Sequence, residues 1–390
     1  MSALLGIRVL DMSRVFAGPW AGQMLADFGA DVVKVEHPRG GDDVRHMGYP
    51  MRDDTGAVVG DTSSFMAMNR GKRSIALDIG APEGRGQAQA LAARADVVIE
   101  NFKTGGLVKY GLDYAALSAA NPRLVYCSIT GYGQTGPYAP LPGYDPIFQA
   151  MSGLMSITGA PDGDAAAGPA IVGYSVSDIN AGFYAVAAIL AALLHRERSG
   201  RGQHIDLALL DAQVAAHSHI AMNWLVSGKM PVRNGTASQI NTPWQSFDTA
   251  DRPLMVAVGN DRQFAAFCRV VGLPDVPGDI RYATNPARMA NTETLLPLIA
   301  TALYARTARE WMDLLNEAGI ASGPLNDFAA MAADPQIVHR EVLRQMPGDG
   351  GQTVPFVANP IRFSDSPVEY NRPPPRLGQH TEDVLREWLA

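Results

Sequence analysis

The residues with the clearest chemical potential lie at Gly173-Tyr-Ser-Val-Ser-Asp-Ile-Asn-Ala-Gly-Phe-Tyr184, which runs into the apolar segment Ala185–His195. Asp178 falls where a long, nearly charge-free helix should begin. Asp is a favoured N-cap, because its carboxylate can accept a bond from a free amide of the first turn. The same position suits a second role. The helix dipole stabilises a carboxylate there in its charged form, and an ionised Asp beside a pocket can act as a covalent nucleophile. Sequence position alone leaves both roles open.

Composition narrows the class. The chain has 390 residues, with 39 Gly and 27 Pro, enough for two domains and a large core. Apolar residues at 47% indicate an ordinary globular protein. A formal net charge of -7 and a pI of about 5.6 argue against a nucleic-acid partner. Cys127 and Cys268 both fall in apolar runs, which reads as two buried thiols in a reducing compartment, with neither a disulfide nor a metal site. His217 and His219 are two residues apart, which is not ligand spacing on a helix, so no metal is expected. The N-terminus has no signal-peptide pattern, and the segment Ala181–Leu194 is short for a bilayer. The expectation is a cytoplasmic enzyme with no membrane partner.

The positioning elements read as α/β. Ile7–Asp11 is a strand, the turn Arg14–Pro19 and a helix to about Phe28 follow, and Asp31–Glu36 is the next strand. Such a βαβ unit implies a parallel sheet. Further strands are expected at Ser74–Asp78, Asp96–Glu100, Leu124–Ile129 and His204–Leu209, with a helix over Pro82–Arg94 that starts on its proline. Several strands end in loops rich in Gly or Asn, where open α/β sheets bind ligands. Glu36 ends the second strand as an acidic ribose ligand would. Gly18 and Gly22 do not complete the dinucleotide fingerprint, however, and Pro19 and Trp20 occupy the approach of a pyrophosphate, so NAD is not expected. Arg70, Lys72 and Arg73 form either a solvated basic face or a phosphate contact. Character changes near residue 228, where a smaller α/β unit begins. The expected division is 1–227 with 322–390 as a large domain and 228–321 as a small one.

Taken together, Arg14-Val-Phe-Ala-Gly-Pro19, Lys34-Val-Glu36 with Gly40-Gly-Asp42, Asn69-Arg-Gly-Lys-Arg-Ser74, Glu100-Asn-Phe102, Ile129–Pro137, Gly143-Tyr-Asp145, Ser152-Gly-Leu-Met155, Asp178 with Gly182, and Gly200-Arg-Gly-Gln203 carry a resemblance over the whole chain. The chain resembles the family III CoA-transferases, the carnitine dehydratase / bile-acid-inducible group. The resemblance implies a Rossmann-like large domain built from both chain ends, a smaller α/β domain, and two chains interlocked as a homodimer. It implies coenzyme A and acyl-CoA as substrates, a small carboxylic acid as acceptor, and no permanently bound cofactor. Asp178 would attack the donor thioester to give a mixed anhydride, then carry CoA as an aspartyl thioester. Each species keeps a high-energy acyl group, so no ATP is needed.

The residues that the resemblance places at the site follow its motifs. Val15, Phe16 and Ala17 in the first loop, Arg39, the segment Leu77, Asp78, Ile79 and Gly80, then Asn101, Phe102 and Lys103, and finally Lys109 would contact CoA. Lys109 stands where some relatives carry Arg, which keeps the charge and loses bidentate phosphate geometry. Tyr144 and Asp145 would lie near the thiol, although Asp145 also suits an N-cap before Pro146. Gly259 and Asn260 match a flap that would offer amides to an oxyanion; relatives carry a run of glycines where this chain has Gly-Asn-Asp.

Three rival readings are an α-methylacyl-CoA racemase on the same fold, a non-catalytic acyl-CoA-binding dimer, and a nicotinamide oxidoreductase. Racemases carry His where this chain has Tyr144, and neutral Tyr is a poor base near pH 7. The second half of the chain looks most like the branch that uses succinyl-CoA and small dicarboxylates. Arg45, Arg70, Arg73 and Arg233 are candidates to hold a distal carboxylate.

Overall fold

Strands that read as nearly continuous apolar runs must be buried on both faces, and the computed structural model, which describes residues 1–165 and 167–390, shows this. Six strands form a wholly parallel sheet: β1 (Arg8–Asp11), β2 (Asp31–Glu36), β3 (Arg73–Ala76), β4 (Val97–Glu100), β5 (Val125–Thr130) and β6 (His204–Ala208). Their order is β3-β2-β1-β4-β5-β6. This is the doubly wound order of dinucleotide-binding folds, and it places a switch point between β1 and β4. Alternation divides the side chains between two layers. Val9, Val32, Val97, Ile99, Val125 and Cys127 belong to one core, Leu10, Val33, Val98 and Tyr126 to the other.

The first layer is closed by α1 (Ala17–Asp27) and by the long helix that carries Asp178. The second is closed by α2 (Pro82–Arg94) and by the last helix, Thr381–Leu389, through Val384 and Trp388. The C-terminal tail is tied to the edge strand β3. His380 donates its amide to the Ser74 carbonyl at 2.9 Å, and Ala76 donates to Thr381 Oγ1 at 3.0 Å. This sheet therefore draws on both ends of the chain. Its unit comprises 1–155, 171–231 and 338–390.

The helix with Asp178, α4, follows the short helix α3 (Asp145–Met151) and spans Val176–Ser199. It has 24 residues, and its most apolar 18-residue window has a mean hydropathy of 1.6, so it is long and apolar enough to cross a membrane by length and composition. The segment is thus longer than the Ala181–Leu194 run suggested. Its apolar surface has another use: Ala181, Ala185, Val186, Ile189, Ala192 and Leu193 are packed into the first core layer. Gly182 permits the closest approach, since a Cβ there would lie 2.7 Å from Trp20 Cδ1 and 3.0 Å from the Ala17 carbonyl.

The second unit, 156–170 with 232–337, is smaller. Strands β7 (Trp244–Phe247), β8 (Leu254–Ala257) and β9 (Ala321–Pro324) form an antiparallel sheet with β8 in the centre. Helices α5 (Asp261–Val270), α6 (Thr292–Leu303) and α7 (Ala308–Glu317) belong to this unit, and their apolar faces share its core with the sheet. Ser322, where the sequence suggested a return to the large domain, lies inside β9, opposite Val256 of β8. The compact units change over at 155/156, 170/171, 231/232 and 337/338.

Candidate active site

Asp178 is not the N-cap of α4. That position is taken by Ser175, whose side chain makes no cap bond, and Asp178 is the third helical residue. The cap comes from elsewhere in the chain. Asp145 is buried, and its Oδ1 accepts the Ser177 amide at 2.7 Å while Oδ2 accepts from Gln149 Nε2 at 2.7 Å. Asp145 therefore supplies α4 with a capping carboxylate from 32 residues away in sequence. The N-cap of its own helix is Tyr144, so Asp145 does not cap the helix at Pro146. Gln149, fully buried, also accepts the Val172 amide at 2.9 Å and ties the approach to α4 onto α3.

This arrangement reverses the electrostatic expectation for Asp178. The helix dipole favours a charged carboxylate, but Asp145 already occupies the first-turn amide. Burial, and then the neighbouring Asp145 charge, push the Asp178 carboxyl up to about 7. Its carboxylate accepts no hydrogen bond from the described residues. Asp178 is thus a half-buried carboxyl poised between its two protonation states at neutral pH, which suits a nucleophile that must both attack and leave.

Residues on either side of Asp178, Ser175 and Ile179, line a cavity of about 1100 Å³. Phe16 and Trp20 from the start of α1, Met66 and Arg70 near the helix Ser63–Asn69, and Phe356 of the hairpin formed by Leu343–Pro347 and Thr353–Val357 also line it. The first loop thus meets the cavity beside Asp178 at Phe16. The amides of Phe16, Ala17 and Gly18 donate to no group of the described chain, and Pro19 has none to donate. Tyr144 is 73% exposed.

A second crevice of about 140 Å³ lies at the carboxyl ends of β1, β2 and β4, beside the switch point. Leu77, Ile79 and Phe102 line it, together with Arg14 and His37, which the motifs did not single out as site residues. The Arg14 guanidinium lies 5.3 Å from the Phe102 ring centroid. Asn101 clamps this corner, accepting the Arg14 amide at 2.9 Å and donating to the Arg14 carbonyl at 2.7 Å. Asp78 accepts the Gly80 amide at 2.9 Å and lies 3.8 Å from His37. Arg39 and Lys109 are exposed cations, the latter over the Tyr110 ring, and Lys103 lines a neighbouring hollow of about 270 Å³ with Glu100 and Ser128. The structure also supplies a second reason against NAD. Glu36 is buried and accepts from Arg45 Nε, Arg45 Nη2, Ser74 Oγ and the Asp42 amide, so it is not available to a ribose.

The basic run Asn69–Arg73 is neither a solvated face nor a phosphate contact. Lys72 is fully buried and donates to Asp11 at 2.8 Å, to the Pro19 carbonyl and to Asn69; burial pulls its ammonium down to about 8 against the pull of Asp11. Arg70 Nη2 donates to both Asp27 oxygens, and Arg73 bridges Asp31 and Glu387. The other arginines considered for a distal carboxylate are paired as well, Arg45 with Glu36 and Asp61, and Arg233 with Asp162.

In the smaller unit, Asn260 caps α5 by accepting the Gln263 amide at 2.9 Å, and the Gly259 amide donates to Gln263 Oε1 at 2.8 Å. For Gly259 to serve an oxyanion, that bond must open. No cluster of three or more metal-ligating side chains occurs among the described residues.

Comparison with known proteins gives this geometry a context. The family model of CoA-transferase family III matches residues 4–381. A succinate–glutarate CoA-transferase of Agrobacterium fabrum is 48% identical over 384 residues, covering 98% of this chain and 95% of that protein. The succinyl-CoA:glutarate CoA-transferase of Homo sapiens is 39% identical, covering 99% of this chain and 86% of its own. A crystal structure of a CAIB/BAIF family protein from Brucella suis superposes with a TM-score of 0.87 at 43% identity, covering 99% of both chains. With matches of this extent in sequence and in fold, the chain belongs to the family III CoA-transferases.

Proposed function

We propose that this CoA-transferase moves CoA from succinyl-CoA to a small dicarboxylic acid, glutarate foremost, with Asp178 as the covalent carrier. The observation that carries the reading is Asp178 itself. It is a carboxyl with no hydrogen-bond partner among the described residues, on the first turn of a long helix packed by one face into the core, and Ser175 and Ile179 near it line a large cavity. The substrate pair is supported by the relatives, which are named for succinate or succinyl-CoA and glutarate.

In the first step an Asp178 oxygen attacks the succinyl thioester carbonyl and the C–S bond breaks, giving a succinyl-aspartyl anhydride and CoA thiolate. The thiolate attacks the aspartyl carbonyl, releases succinate and leaves an aspartyl-CoA thioester. The acceptor carboxylate then displaces CoA to form a second anhydride. The thiolate attacks the acceptor acyl carbon, which frees Asp178 and yields the new acyl-CoA. Each attack builds an oxyanion. Phe16 lines the cavity, and the amides of Phe16, Ala17 and Gly18, which have no partner among the described residues, are the donors this reading assigns to that oxyanion. In this reading the adenine end of CoA enters the crevice of Leu77, Ile79 and Phe102, where Arg14 also lies, with Arg39 and Lys109 as exposed cations for its phosphates and Asp78, Gly80, Asn101 and Lys103 as further contacts.

The working form is a cytoplasmic homodimer in this reading. Its support is the apolar surface left on one protomer, where Met222, Trp224, Leu225 and Val226 and, on α4, Phe183, Tyr184 and Leu194 are exposed. Cys127 and Cys268 are buried and unpaired, as reduced thiols are.

The direct test is to incubate the protein with succinyl-CoA and a panel of small acids and to follow new CoA thioesters by mass spectrometry. New thioesters that vanish in Asp178→Ala are expected. Absence of transfer to every acid would remove the assignment.

A further inference from the structure

Val15 stands out in the backbone. It has φ +70, and apart from glycines only Glu341 shares a positive φ among the described residues. A β-branched side chain in that region is strained, and such strain persists only where surrounding contacts over-determine it.

The surroundings of Val15 do so. The Ser13 amide donates to Asp11 Oδ1 at 3.0 Å, and the Ser13 carbonyl accepts from Lys34 Nζ at 2.9 Å. Arg14 is held at both its amide and its carbonyl by Asn101. The Val15 amide donates to Asp42 Oδ1 at 3.0 Å, and the Pro19 carbonyl accepts from Lys72 Nζ at 2.8 Å. The braces are themselves fixed. The Asp42 and Lys34 side chains have no exposure and pair at 2.7 Å, and those of Asp11 and Lys72 likewise pair at 2.8 Å. What the bracing leaves without partners are the amides of Phe16, Ala17 and Gly18.

We infer that Asp42 is a positioning residue for CoA binding: by holding the Val15 amide it keeps the Ser13–Pro19 turn in its strained form, with the Phe16–Gly18 amides presented to the acyl-CoA. The inference rests on the proposed CoA site at this turn. Asp42 acts through the backbone of Val15; its Oδ1 also accepts the Val44 amide at 3.2 Å and caps the turn Asp43–His46, and it lines the crevice of Leu77 and Phe102, effects that Val15→Gly would not restore. Loss of Asp42 lets Val15 relax toward negative φ and turns the free amides away. A glycine at position 15 adopts positive φ without strain, so Val15→Gly should restore what the loss of Asp42 removes through Val15.

The test uses the full chain and two readouts, CoA dissociation constants from calorimetry and kcat and KM with succinyl-CoA. Asp42→Ala and Asp42→Asn are measured alone and each combined with Val15→Gly. Asp42→Ala should weaken CoA binding and raise KM about tenfold, with kcat changed far less, and Val15→Gly should recover at least half of that on a logarithmic scale. A folded Asp42 variant with wild-type CoA affinity and KM overturns the inference, as does a deficit that Val15→Gly leaves untouched. If Asp42→Ala does not fold, because Lys34 is left without its partner, the Asp42→Asn pair decides by the same recovery criterion. A wild-type protein that binds CoA yet transfers none would sink the proposed reaction while the calorimetric comparison still judges Asp42.

Discussion

Replacing Asp178 by Asn should stabilise the protein, and only above mildly acidic pH. The carboxyl is raised from an ordinary 3.8 to about 7 by burial and by Asp145. Between those two values the unfolded chain has lost a proton that the folded chain keeps. Stability therefore falls as pH rises from about 4 to about 7, and it levels off above the folded value. Three units at about 1.4 kcal/mol each set a ceiling of roughly 4 kcal/mol on the cost of charging Asp178. Solvent reaching a half-buried group lowers it, and about 2–4 kcal/mol is the working range. Asn is nearly isosteric, and the Asp178 carboxylate accepts no hydrogen bond from the described residues, so the substitution removes charge and little else.

Thermal unfolding of wild type and Asp178→Asn at constant ionic strength from pH 4.5 to 8.5 measures this. The Tm difference should be small at the acid end and grow to on the order of 5 °C by pH 8. A difference that is independent of pH, or a variant less stable than wild type at pH 8, would refute the reasoning. Either result would mean that the helix N-terminus, rather than burial and Asp145, governs this carboxyl. The variant should also transfer no CoA, so that stability and activity move in opposite directions at one atom.

Three further outcomes follow from the same geometry. The transfer rate should fall on the acid side with an apparent pKa near 7, and Asp145→Asn should shift that limb to lower pH, since the neighbouring charge is the second cause of the Asp178 shift; an unmoved limb in the pH–rate profile would exclude the coupling. Gly182→Ala should cost about 1–3 kcal/mol in denaturant unfolding, because its methyl meets Trp20 and the Ala17 carbonyl at the α1–α4 contact; wild-type stability would mean that the helices separate freely. Lys72→Met should destabilise by about 3–5 kcal/mol, as it strands the buried Asp11 carboxylate; the midpoint of a urea titration checks it, and a loss under 1 kcal/mol would argue against an ionised pair.

What was legible in the chain was local. Runs such as Val32-Val33 and Val97-Val98-Ile99 specify strands buried on both faces, and Pro82 marks the first residue of α2, as both the reading and the structure have it. What was not legible depends on partners far away along the chain. The run Arg70–Arg73 looks like a solvated face because nothing near it in sequence is acidic. Its carboxylates are Asp27, 43 residues from Arg70, Asp11, 61 from Lys72, and Asp31, 42 from Arg73. The sheet order brings them together by placing β3, β2 and β1 side by side. All four arginines that seemed free to meet a substrate, Arg45, Arg70, Arg73 and Arg233, are held by ion pairs.

The reading of Asp178 as an N-cap failed in an instructive way. Capping preferences are local rules about one side chain and the amides that follow it, whereas α4 is capped by a residue from another helix. A cap brought in through space frees the local acid. Because Asp145 satisfies the Ser177 amide, Asp178 has no amide to bond. It is left half-buried, beside a like charge and next to the cavity, with its pKa raised rather than lowered. The cap and the proposed nucleophile, offered by the sequence as alternative roles for one residue, fall to two residues, the cap to Asp145 and the proposed carrier to Asp178. The like charge that carries out the capping also holds the other carboxyl near neutrality.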